Sequence, residues 1–290
     1  MLNYLKKIFS IFLIFNLTFV SSAQAAATFV DSFDVSTQDT TPRGLAFNND
    51  GTKMFVVGDA GNDINEYTLT TPFDVSTSIF RDINGDGSGF DVSEQDTVPQ
   101  YIKFNNDGTK MFVSGNTGDD INVYTLSTGF DLSTATFNDI NGDGTGFDVS
   151  AQDDKTRGIA FNNDGTIMYY IGNTDNDINV YTLSTGFDLL TATFNDINGD
   201  GTGFNINAQD DVPRGLTFNN DGTKMFVVGD NGNDINEYTL SVGFDLTSTV
   251  TFVDSFDISG QEGSAWDVEF NNDGTKMFVT GMSGETAIHE

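Results

Sequence analysis

The 290-residue chain has no cysteine, one histidine, and only 12 lysines and arginines against 43 acidic residues. Each shortage removes a class of function. Without cysteine there is no disulfide scaffold, no thiol nucleophile and no bacterial lipid anchor on an N-terminal Cys. His289 alone cannot build a Ser-His-Asp constellation, and the absence of other His and Cys excludes the zinc sites that depend on them. A net charge of −31 repels DNA, RNA and anionic membranes and attracts cations. Helical periodicity is missing over any useful length. Beyond the N-terminus, no apolar run approaches the ~20 residues of a spanning helix.

The first 25 residues stand apart. Lys6 and Lys7 precede an apolar stretch from Ile8 to Val20, and Ala23-Gln24-Ala25 fits a small-x-small cleavage site. Residues 1–25 read as a secretory signal peptide, so the mature chain is expected to be secreted, periplasmic or at the cell surface, without membrane insertion after cleavage. Cleavage removes two cations and no acid, taking the net charge from −31 to −33. An exported chain without disulfides must find its staples elsewhere, and a divalent metal is one candidate.

Residues 26–290 are one repeat domain. Phe-Asn-Asn-Asp-Gly-Thr begins at Phe47, Phe104, Phe161, Phe218 and Phe270, at intervals of 57, 57, 57 and 52 residues. Each unit has the same order of parts. A run such as RGLAFN (43–48) is followed by an Asn-Asp-Gly turn, then KMFVVG (53–58), a polar loop, INEYTL (64–69), a linker, and a run like TFVDSFDV, seen at 28–35 and 251–258. Four short strands per unit point to an all-β fold, a β-propeller of four-stranded blades. The second strand is apolar on both faces, as a strand packed between neighbouring blades must be. Glu66 and Glu237 align with Val123 and Val180, which suggests an exposed strand position.

The hairpin FNNDGTKMFVVG (47–58) resembles those of YVTN-type and lactonase-like β-propellers, and the resemblance extends over 28–290. It implies architecture and little about activity, because that superfamily hosts hydrolases, binding modules and scaffolds. Trp266-Asp267 is the only Trp-Asp pair and does not repeat, so no WD-type signature is present. Five blades are visible. The N-terminal TFVDSFDV is a fourth strand without predecessors. Either it joins the last unit and closes a five-bladed ring, or the chain is a truncated piece of a larger propeller.

Two groups of residues are candidates for chemistry. The first lies in RDINGDGSGF (81–90) and in NDINGDGTGF at 138–147 and 195–204, six-residue insertions relative to 251–258. Asp82, Asn84 and Asp86, Asp139, Asn141 and Asp143, and Asp196, Asn198 and Asp200 take positions 1, 3 and 5 of a half-loop resembling EF-hand or dockerin calcium loops. Asp91, Asp148 and Asn205 stand at position 10, where a closing ligand is required. The alternative is an Asp-, Asn- and Gly-rich turn copied with its repeat. The second group is Arg43, Arg157 and Arg214, at equivalent positions opening the first strand, where a ring of cations at the channel mouth would bind an anion. The competing reading pairs each Arg with Asp39, Asp153 or Asp210. Most Asp recur in every unit and so serve turns, and no acid–base pair stands out.

These features describe an exported, non-catalytic binding or scaffold module for a protein or glycan ligand, with calcium as the expected cofactor. The alternative is a calcium-dependent lactonase- or glycosidase-like hydrolase, which would need a channel metal held by non-repeating carboxylates. Nothing in the sequence indicates an oligomeric state.

Overall fold

The computed structural model describes residues 27–172, 174–282 and 286–290; the signal-peptide reading of 1–25 lies outside them. The described residues form five antiparallel sheets. Blade I runs outward from Pro42–Phe47 through Lys53–Gly58 and Asp63–Leu69 to Ser78–Phe80. Blades II, III and IV repeat it from the inner strands Pro99–Phe104, Thr156–Phe161 and Pro213–Phe218. Blade V comprises Ala265–Phe270, Met277–Gly281 and Ala287–His289, and takes its outer strand, Ser32–Asp34, from the other end of the chain. Of the two ring readings, closure by the N-terminal strand is the one observed.

The repeated Asn-Asn-Asp-Gly-Thr accounts for both hairpin and ring. In blade I, Asn48 Oδ1 accepts the Lys53 amide at 2.9 Å, Asp50 Oδ1 accepts the Thr52 amide at 3.0 Å, and Gly51 takes a φ of 70°. The second Asn works between blades. Asn49 Nδ2 donates to the Asn106 carbonyl, Asn106 to Asn163, Asn163 to Asn220, Asn220 to Asn272, and Asn272 back to Asn49, all at 2.5–2.8 Å. This belt closes on itself after five steps. A second latch joins Lys53, Lys110 and Lys276 to the carbonyls of Phe130, Phe187 and Phe73 on the following blade. Blade III has Ile167 in the Lys position, and the Tyr169 hydroxyl makes the equivalent contact with the Phe244 carbonyl.

The second strands carry the core. Met54, Phe55, Val56 and Val57 are fully buried, as expected for a strand covered on both faces. The expectation for Glu66 fails. It is buried, paired with Lys53 at 2.7 Å and Arg81 at 2.8 Å, and its carboxylate faces the Leu132 amide of blade II. Val123 and Val180 are buried too. A third strand still packs between blades, so a Glu/Val exchange there does not mark exposure.

Candidate functional site: the Arg–Trp mouth of the central channel

The inner strands all begin at one mouth of the channel. Each carries a register shift at the residue four before the repeated Phe, the position of Arg43, Gln100, Arg157, Arg214 and Trp266. A bulge re-aims the side chain it carries. Here the result is convergence from different blades. The guanidinium carbons of Arg43, Arg214 and Arg157 lie 3.7, 3.5 and 5.1 Å from the centre of the Trp266 ring. Stacking on the indole lowers the cost of gathering three cations in one place.

The anticipated pairing with Asp39, Asp153 and Asp210 does not form. Those carboxylates are buried and accept the amides of Thr41, Lys155 and Val212 at 2.7–2.9 Å, capping the turns that lead into the inner strands. The local turn claims them first. Arg43 instead pairs with Asp59, and Arg214 with Asp230, each sixteen residues downstream. The same step from Arg157 reaches Asn173, which carries no charge and lies outside the described residues.

Arg157 therefore makes no ion pair among the described residues, and Asp230 and Asp153 act on it only through space. Its Nε and Nη1 are buried without partners, as are Nε of Arg43 and Arg214 and Nε1 of Trp266. Burial, with repulsion from Arg214 and Arg43, pushes the Arg157 proton affinity down to about 9. Five N–H donors without partners among the described residues thus gather around a half-buried cation, an arrangement whose hydrogen bonds a negatively charged oxygen group would satisfy.

Deeper in the channel, the residues depart from the repeat. Where blades I, III and IV have Gly44, Gly158 and Gly215, blade II has Tyr101 and blade V has Asp267. An added Cβ at Gly215 would stand 2.8 Å from the Trp266 carbonyl, so the inner strands meet too closely there for a side chain. Tyr101 spans the channel, donating its hydroxyl to the Leu216 carbonyl of blade IV at 3.2 Å. Asp267 accepts the Leu45 and Val268 amides at 2.8 Å each, and burial holds its carboxyl well above the usual range. One level on, Lys103 pairs with Glu269. The channel thus does hold non-repeating carboxylates, which sequence reasoning overlooked. Their signal was present in PQYIKF and AWDVEF, the two first strands that break the pattern. Trp266, which belongs to no repeated signature, stands at the centre of the cluster.

The acidic insertions fall on the outer rim, as expected. In blades I to III the fourth strand is split, so that Ser78–Phe80 and Phe90–Asp91 both pair with Asp63–Leu69 around the loop. In blade IV it is continuous over Val250–Asp257. Asp139 accepts the amides of Gly142, Asp143 and Gly144 at 2.6–3.1 Å, Asp196 repeats this with Gly199, Asp200 and Gly201, and Asp82 accepts Gly85 and Gly87. Asp86, Asp143 and Asp200 cap Ser88, Thr145 and Thr202. Asn84, Asn141 and Asn198 donate to the carbonyls of Gly89, Gly146 and Gly203. Asp91, Asp148 and Asn205 accept the amides of Ser93, Ser150 and Asn207. Each loop thus winds around its first carboxylate. Among the described residues, no three His, Cys, Asp or Glu side chains converge as a metal site.

No protein-family model and no curated protein matches the chain. Solved structures do. A luciferin-regenerating enzyme aligns at 12% identity over 89% of this chain and 93% of its own, with a TM-score of 0.51. A putative 6-phosphogluconolactonase from Bacteroides uniformis aligns at 14% identity over 82% of this chain, with a TM-score of 0.48, and the chain spans 63% of that protein's length. A periplasmic gluconolactonase from Pseudomonas aeruginosa aligns at 11% identity over 83% of this chain and 63% of its own, with a TM-score of 0.44. Likeness this remote concerns fold alone: the chain is a five-bladed β-propeller whose structural neighbours include lactonase-like propellers.

Proposed function

We propose that the protein is an exported, non-catalytic β-propeller that binds an anionic group of a protein or glycan ligand at the Arg–Trp mouth. The carrying observation is Arg157, a half-buried cation without an ion pair among the described residues, set among unpartnered N–H donors. A carboxylate or similar oxyanion would satisfy those donors and offset the repulsion among the three guanidinium groups. The remainder of a strongly acidic surface repels anions, so capture depends on this one cup.

Calcium belongs to the same proposal as a stabiliser of the rim loops. The support is the 1-3-5 spacing and the winding of amides around Asp82, Asp139 and Asp196. The hydrolase alternative gains little from the channel carboxylates. Asp267 is enclosed by amides and Glu269 is held by Lys103.

Calorimetric titration with acetate, glucuronate and phosphate tests the reading. Wild-type protein should bind at least one of them, and Arg157→Gln should not. Equal heats from both proteins would refute it. Chelator-sensitive lactone hydrolysis by the wild type would assign the alternative.

A further inference from the structure

Beside its N–H donors, the Arg–Trp mouth holds two buried oxygens without a partner among the described residues, Asp59 Oδ1 and Gln100 Oε1. Gln100 is only 5% exposed. It takes blade II's place in the ring between Arg43 and Arg157, at the same register shift that each arginine occupies. A Cβ on Gly44 would stand 2.8 Å from the Gln100 carbonyl, so the inner strands of blades I and II touch at this level. An acceptor buried without a donor is costly, which makes both oxygens as informative as the orphaned N–H groups.

The repeat explains why Asp59 Oδ1 is open. Its equivalent in blade IV, Asp230, accepts from Arg214 with Oδ2 and from the Ser264 hydroxyl of blade V with Oδ1. Asp59 likewise accepts from Arg43 with Oδ2. The blade II residue that corresponds to Ser264, six before the repeated Phe, is Val98, which has no hydroxyl. The oxygen that blade V satisfies on Asp230 is therefore left for another donor on Asp59.

We propose that the mouth is specific for a sugar acid, whose carboxylate meets the N–H groups while hydroxyls on nearby carbons donate to Gln100 Oε1 and Asp59 Oδ1. The inference rests on the reading of this mouth as a carboxylate site, and narrows its ligand from protein or glycan to glycan. An Asp or Glu side chain carries only methylene groups beside its carboxylate and leaves both oxygens unmet. An ammonium donor, as in an α-amino acid, would add a further cation to guanidinium groups that already repel one another. A hydroxyl donates without bringing charge. Gln100 and Asp59 are thus the specificity-determining residues, because a site built to bond a ligand hydroxyl rejects the analogue that lacks it.

The test compares glucuronate with cyclohexanecarboxylate, a ring carboxylate without hydroxyls, by calorimetric titration of the full chain. Wild-type protein is expected to bind glucuronate at least about tenfold more tightly. Gln100→Met keeps the length of the side chain and removes its acceptor, and should bring the two affinities together. Val98→Ser offers Asp59 the hydroxyl that Ser264 offers Asp230, and should independently reduce the preference about threefold. Circular dichroism checks that both variants fold. Equal affinities in the wild type, or a preference that survives both substitutions, overturn the inference and leave the carboxylate reading standing. Failure of every carboxylate to bind removes that reading, and this inference with it. Tighter binding of glycine than of glycolate would assign the two oxygens to an ammonium group and overturn the sugar acid.

Discussion

Removing the Arg157 cation should stabilise the ligand-free protein, although most substitutions of buried residues destabilise. The fall in proton affinity from the ordinary guanidinium range to about 9 would correspond to ~5 kcal/mol at 1.36 kcal/mol per pH unit. Arg157 is only half-buried, and partial screening by water reduces this to ~2 kcal/mol. The sign follows from linkage. A base whose folded affinity lies below its unfolded one gains stability only as pH rises above about 9 toward the ordinary guanidinium range, so its full cost is present at neutral pH. An anion or a neutral side chain removes that cost. Arg157→Gln should therefore raise Tm by ~5 °C, given roughly 2–4 °C per kcal/mol for a domain of this size. Arg214→Gln is the contrast, because it strips Asp230 of its counter-ion and should lower stability by ~1–3 kcal/mol. Scanning calorimetry in low-salt buffer without carboxylate or phosphate reads both. If Arg157→Gln loses as much stability as Arg214→Gln, Arg157 is a structural cation and the anion site falls.

Three further outcomes follow from the same structure. Burial pushes the Asp210 carboxyl up to about 6, so its ionisation costs stability that begins to be lost above the unfolded value of 3.8 and is fully lost beyond about 6. Asp210→Asn should accordingly gain up to ~2 kcal/mol at pH 8 and nothing at pH 3.5, by urea denaturation; an equal gain at both would contradict the assignment. Asn163→Ala opens the inter-blade belt at one of its five links and should cost ~0.5–1.5 kcal/mol, measurable as a lower urea midpoint, with no change expected only if the belt is incidental. Calcium should raise Tm and magnesium should do so less. Within the rim loops the Asp196 copy, which has Asn205 where the others have Asp91 and Asp148, should bind most weakly. A melting curve indifferent to excess chelator would remove calcium from the account.

Repetition made the fold readable. Five copies of Phe-Asn-Asn-Asp-Gly-Thr reveal a hairpin by its turn chemistry, and the doubly apolar second strand identifies packing between blades. The rim position of the acidic loops follows from comparing 136–149 with 251–258. Ring closure at five was not decidable, because it depends on contacts between the chain's two ends and on the Asn49-to-Asn272 belt, which no local pattern encodes. Glu66 was misjudged because its partners Lys53 and Arg81 are assembled across strands, and its neighbour Leu132 comes from the next blade. At the site, the three Arg were visible by alignment. Their partners were not, since Asp39, Asp153 and Asp210 look equally suitable until the turns claim them. The informative positions were the exceptions to the repeat: Gln100, Tyr101, Lys103, Trp266, Asp267 and Glu269. In a repeat protein the shared residues build the ring, and the deviations build whatever is particular to the channel.

Trp266 is the only tryptophan in the chain, and it lies against the three guanidinium groups of the proposed site. Its intrinsic fluorescence therefore reports that site alone. Titration with glucuronate or acetate should produce a saturable change in Trp266 emission, weakened by added salt and lost in Arg157→Gln. Emission that does not respond to any carboxylate or phosphate, or a response that survives Arg157→Gln unchanged, would contradict the anion site.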